Sequence, residues 1–112
     1  YDLCVRYAGD EFIIVLAECS REQVEARRCE LQERVAQIQI EVRAGKTLRL
    51  AASAGAAVFP HDGTSYEALL AEADHRMYRD KAARRTAANE SRAPWPEFML
   101  TSVYEPGTQA AI

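Results

Sequence analysis

Little in this sequence commits it to a membrane, an oxidising compartment or a nucleic acid. No apolar run approaches the ~20 residues needed to span a bilayer, and the opening residues lack the charged-then-apolar pattern of a secretory signal. A net charge of −3 excludes a global basic field of the kind that holds DNA or RNA, so any nucleotide chemistry must be local. The cysteines number three, an odd count. Cys4, Cys19 and Cys29 lack the close pairing of a zinc site, and His61 and His75 sit far from them in sequence. They read as reduced thiols in a cytosolic domain. Internal repeats and low-complexity tracts are also absent. The remaining composition is ordinary: 112 residues, 48% hydrophobic and 28% charged, match one globular domain or part of one. The first residue is not methionine and a strand is under way by Leu3, so the chain is expected to be a fragment whose natural N-terminus lies upstream.

Periodicity then orders the chain. Leu3, Val5 and Tyr7 alternate with Cys4 and Arg6, and Phe12 to Leu16 is continuously apolar, so Asp2 to Leu16 predicts a β-hairpin turning at Ala8-Gly9-Asp10. Ser20 with Gln23 forms a capping box, opening a helix from about Arg21 to Gln39 with Val24, Leu31, Val35 and Ile38 on one stripe. Arg27, Arg28 and Arg34 read as its solvated face. Ile40, Val42, Leu48 and Leu50 around Ala44-Gly45-Lys46 predict a second, more exposed hairpin. Ala51 to Phe59 reads as a strand of small residues whose Gly55 lets a helix or another backbone approach closely. Pro60 to Gly63 is a turn, and Thr64 with Glu67 reads as a second capping box for a helix carrying Tyr66, Leu69, Leu70, Ala73 and Met77 at helical spacing. This order suits an α+β sheet with helices packed on one side. Beyond Arg85, Pro94, Pro96 and Pro106 punctuate a stretch in which Phe98 to Tyr104 reads either as a terminal strand or as part of a flexible tail.

Two constellations carry chemistry. Asp10 and Glu11 put adjacent acids at a hairpin tip, beside a glycine that leaves room for a substrate; in isolation they also read as solvated turn charge. Lys81 and Arg85 lie four residues apart on one helical face and can grip one anion, or else complement the dipole of the helix end.

The blocks RYAGDEF, SAGAAVFPHDG and EADHRMYRDKAARR, in that order and with helix-sized spacing, resemble the GGDEF family of diguanylate cyclase domains. The similarity covers about Asp2 to Thr86, the latter half of such a domain, and divides the chain into residues 1–86 and a C-terminal strand or tail over 87–112. It implies a palm-like sheet of the nucleotidyl cyclase kind with helices packed against it, seen as a partial domain. It also implies condensation of two GTP into cyclic di-GMP with release of pyrophosphate. Each domain binds one GTP, so a homodimer, at least a transient one, is implied, together with an upstream sensory or regulatory domain. The implied setting is the bacterial cytoplasm, either free or as the cytoplasmic part of a membrane-bound or multidomain sensor.

By the same resemblance, Asp10 is the metal ligand for Mg²⁺ or Mn²⁺, and Glu11 the following acid, with a supporting part. Both acids are assigned to catalysis. Gly9, Lys81 and Arg85 are substrate-binding positions, the last two on the triphosphate. Asp2 falls where the inhibitory product-binding motif ends. Asp74, Ser53 and Gly55 match mainly architectural positions. Ala8 replaces a signature glycine, Asp80 replaces the usual alanine before the lysine, and Arg84 replaces the glycine before the last arginine. The negative charge of Asp80 is expected either to attract Lys81 or to oppose incoming phosphates. The family's other metal aspartate and its guanine-reading residues lie upstream, so turnover requires that missing half. The alternative is a degenerate module that binds GTP, cyclic di-GMP or a protein partner without turnover.

Overall fold

The computed structural model describes residues 2–91, 97–105 and 110–111, and the side chains of residues 2–87. The punctuating Pro94, Pro96 and Pro106 lie outside the described residues. The chain opens with a hairpin, β1 (Leu3–Ala8) and β2 (Glu11–Ala17), paired antiparallel with Val5 opposite Ile13. Only Gly9 and Asp10 separate the strands, and Gly9 takes a left-handed φ of 41°, which glycine adopts without a Cβ penalty. Arg6 Nε donates to Gly9 O at 2.8 Å and closes the turn.

Helix α1 (Arg21–Gln37) follows, its capping box complete: Ser20 Oγ accepts from Gln23 N and Gln23 Oε1 accepts from Ser20 N. The helix ends two residues before the sequence predicts, because Ile38 is already extended; its side chain is exposed rather than part of the buried stripe. Strands β3 (Gln39–Arg43) and β4 (Lys46–Arg49) form a separate exposed hairpin, as the pattern around Gly45 implies. β5 (Ala51–Val58) leads through the Pro60–Gly63 turn into α2 (Tyr66–Ser91). The cap of α2 is Ser65, whose Oγ accepts from Ala68 N at 3.1 Å, and not Thr64. That frame lets Ser65 O accept from Leu69 N while Leu69 is fully buried.

Among the described residues, one sheet runs β1-β2-β7-β6-β5, with β6 (Glu97–Glu105) parallel to both β2 and β5, and β7 (Ala110–Ala111) antiparallel to β2 and β6. Glu11 and Ser53 are both register partners of Met99, so the hairpin tip stands at the end of the sheet where β5 begins.

The helices cover opposite faces, not one side. Ala57 and Ile13 pack with Leu69 and Ala73 of α2. Ala52 and Ala54 pack near Leu31 and Val35 of α1, and Ala56 and Val58 pack with Val24. Successive strand residues point to opposite faces, and β5 is buried on both. Its small side chains make this possible: a Cβ built on Gly55 would meet Ala73 O at 2.0 Å and Met77 N at 2.3 Å, so α2 rests directly on the strand backbone.

Among the described residues β5 ends the sheet, and its outer edge is covered by side chains rather than by a strand. Gln32 Nε2 donates to Ala52 O, Arg76 Nη1 donates to Ala56 O, and the carboxylates of Asp80 and Asp62 accept from Ala54 N and Val58 N. These contacts satisfy strand groups that would otherwise offer a pairing edge.

Candidate functional site

The acids sit where the hairpin puts them. Asp10 is exposed at the tip, and Glu11, the first residue of β2, is half-buried. Around Gly9 the space is open: an added Cβ would find no atom within 4 Å. Glu11 faces the α2 side of the sheet and lines a groove of about 420 Å³ with Tyr7, Phe12, Glu67, Leu70 and Asp74. Asp74, expected to be architectural, is exposed in this groove; Asp62 and Asp80 do the bracing instead.

Helix α2 runs back along β5, with Leu69 near Ala57 and then Ala73 and Met77 against Gly55. Its later turns, carrying Lys81 and Arg85, therefore lead toward the beginning of β5, the end of the sheet that also bears the hairpin tip. The α2 residues that share the groove with Glu11 include Glu67, Leu70 and Asp74, about two turns or more before Lys81 and Arg85. Asp2 lies elsewhere, at the start of the hairpin: its Oδ1 accepts from Ala17 N at 3.1 Å, and Oδ2 is 3.8 Å from Arg27 Nη1. With Arg27, Arg28, Arg34 and Leu31 it lines a groove of about 320 Å³ on the α1 face.

Among the described residues, no group of three or more His, Cys, Asp or Glu side chains is placed to hold a metal ion. Asp10 and Glu11 supply two hard carboxylates at an open turn. That donor set fits Mg²⁺, which takes one or two carboxylates and completes its shell with phosphate and water.

Sequence reasoning missed two polar clusters. Asp62, read only as a turn residue, has a side chain 6% exposed. It accepts from Arg76 at 2.8 and 3.0 Å, from Arg21 at 2.8 Å and from Val58 N at 2.7 Å, joining the turn after β5 to both helices. Burial pushes its carboxyl up, but the Arg76 and Val58 hydrogen bonds and the charges of Arg76 and Arg21 hold it below the usual range. The second cluster includes Arg28, which is not part of a solvated face. It bonds Glu25 at 2.9 Å and Gln32 at 2.7 Å, and its hydrogen bond draws the Glu25 carboxyl below its usual value against partial burial. Gln32 reaches Asp80 at 2.7 Å. Asp80 is therefore held by Gln32, Ala54 N and Arg84. The four-residue spacing of Val58 and Asp62 and the i,i+4 spacing of Asp80 and Arg84 are local signals; Gln32 is not.

Comparison with known proteins agrees with this architecture. The family model described as "Diguanylate cyclase, GGDEF domain" matches residues 1–87. The chain belongs to the GGDEF family of diguanylate cyclase domains. It is 36% identical over 77 residues to diguanylate cyclase DosC of Escherichia coli (strain K12), covering 69% of this chain and 16% of that protein. It is 38% identical over 89 residues to cyclic di-GMP phosphodiesterase NbdA of Pseudomonas aeruginosa, covering 78% of this chain and 11% of that protein. The chain thus spans a small part of the length of these relatives. No solved structure matches. Strand β6 lies beyond the family match, yet it stands between β2 and β5, which lie within it. Among the described residues, no helix is long and apolar enough to cross a membrane.

Proposed function

We propose that the intact protein carrying this chain is a diguanylate cyclase that joins two GTP into cyclic di-GMP and releases two pyrophosphates. What supports this reading is the family match over residues 1–87, together with the Asp10–Glu11 turn standing at the end of the sheet where β5 begins, the direction in which the later turns of α2, carrying Lys81 and Arg85, run. Asp10, supported by Glu11, would hold Mg²⁺ or Mn²⁺, which offsets charge on the triphosphate. Lys81 and Arg85 bind the triphosphate by charge-assisted hydrogen bonds and neutralise the departing pyrophosphate. Gly9 leaves the turn open to the nucleotide. Each 3′-hydroxyl attacks the α-phosphorus of the other GTP, so two domains face each other, in a homodimer at least while the ring closes. Asp2, beside Arg27, is assigned to an inhibitory cyclic di-GMP site, and an upstream sensory domain in a cytoplasmic protein supplies control.

Titration of GTP in Mg²⁺ against the intact protein and Lys81→Ala tests the clamp. Losing one charge-assisted bond, roughly 1.5–3 kcal/mol, weakens binding about tenfold to a hundredfold. Unchanged affinity would remove Lys81 from the site. A second reading, a module that binds GTP, cyclic di-GMP or a partner without turnover, is favoured by Ala8 in place of the signature glycine. In that case GTP binds but no cyclic di-GMP forms, even with any upstream activator present.

A further inference from the structure

Asp80 and Arg84 each immediately precede a residue assigned to the triphosphate, Lys81 and Arg85. Asp80 Oδ2 accepts three hydrogen bonds: from Gln32 Nε2 at 2.7 Å, from Ala54 N at 3.0 Å and from Arg84 Nε at 3.0 Å. Gln32 is buried on α1 and donates as well to Ala52 O at 3.0 Å. One carboxylate oxygen thus ties α2 to the outer edge of β5 and, through Gln32, to α1.

A helix advances about 100° per residue, so a contact that fixes the azimuth of residue 80 also fixes where residues 81 and 85 project. We propose that Asp80 is a positioning residue: it locks the rotation of α2 and so aims Lys81 and Arg85 at the triphosphate. The proposal rests on the assignment of those two cations to the anion.

Simple electrostatics makes the opposite forecast. A carboxylate beside Lys81 opposes an incoming polyanion, so removing it tightens binding. The structure argues against that sign, because Arg84 lies 3.0 Å from the carboxylate and the side chain is turned toward Gln32 and β5. The convergence of all three donors on one oxygen adds a discriminating variant: the amide oxygen of Asp80→Asn can occupy that place without the charge.

Calorimetric titration of inorganic triphosphate in Mg²⁺ into the full chain decides between them. Asp80→Ala weakens binding about three- to tenfold, as expected when a binding group is slightly misplaced. Asp80→Asn stays within about twofold of wild type, because the acceptor survives. Gln32→Met leaves the charge of Asp80 in place yet also weakens binding, and it stands in should Asp80→Ala fail to fold. Asp80→Ala combined with Lys81→Ala loses less than the two single losses together, since part of the positioning acts through Lys81 and the rest through Arg85. Tighter or unchanged binding in Asp80→Ala, or in Gln32→Met, overturns the proposal while leaving the clamp intact. Additive losses in the double variant overturn it too. Unchanged binding in Lys81→Ala removes the clamp reading itself, and the proposal with it.

Discussion

Replacing Gly55 by alanine puts a methyl group 2.0 Å from Ala73 O and 2.3 Å from Met77 N, both backbone atoms of a helix in mid-span. Ordinary contact begins near 3.4 Å, and neither atom can turn aside as a side chain would. Relief therefore requires α2 to lift from β5 by more than an ångström. Leu69 and Met77, each 1% exposed, then lose part of their contact with the sheet. A gap of 0.5–1 Å forfeits roughly a quarter to a half of the dispersion well. Burial of two such side chains contributes about 1.5–3 kcal/mol each, so the expected loss is about 1–3 kcal/mol, the range seen for overpacked cores. Urea denaturation of the full chain followed by far-ultraviolet circular dichroism reads this directly as a lower midpoint at unchanged slope. A midpoint equal to wild type would show that α2 does not rest on the Gly55 backbone. Because Lys81 and Arg85 ride on the same helix, GTP affinity in the intact protein should fall with it.

Ser20→Ala removes the acceptor for Gln23 N and should cost about 0.5–2 kcal/mol, as capping losses do; an unaltered denaturation midpoint would remove the box as a stabilising feature. Asp62→Asn should weaken the clamp on Arg76 and Arg21 and lower stability at neutral pH. The folded carboxyl titrates below its ordinary value, so its contribution is fully present above the unfolded pKa of about 3.9 and is lost as pH falls through the lower folded value. The gap between wild type and Asp62→Asn should therefore close below about pH 4; a gap constant with pH would contradict the assignment.

What could be read from the sequence was what is encoded locally. The hairpin turn around Gly9, the capping box at Ser20 and the close approach at Gly55 each rest on neighbouring residues, and the structure has all three, with Ala8 still in β1 rather than in the turn. The placement of helices on both faces was hidden because every position from Ala52 to Val58 is buried, and small side chains leave no alternation to mark one face. The shift of the second cap from Thr64 to Ser65 turns on which frame buries Leu69, a tertiary matter. The role of Asp80 depends on Gln32, 48 residues away and on another helix, and no spacing rule links the two. For the site, the acid pair and the cation pair were each legible as local patterns. The end of the sheet at which the acid pair stands was not, since it follows from the parallel register of β2, β6 and β5.

The assignment of Asp10 to the metal is checked most directly by product formation. The intact protein, with any upstream activator engaged, is incubated with GTP and Mg²⁺, and cyclic di-GMP is measured by chromatography for wild type and Asp10→Ala. Wild type should give Mg²⁺-dependent product and Asp10→Ala none above background, with a denaturation midpoint close to wild type because an exposed turn acid contributes little to stability. Full turnover by a folded Asp10→Ala variant would show that Asp10 does not hold the metal.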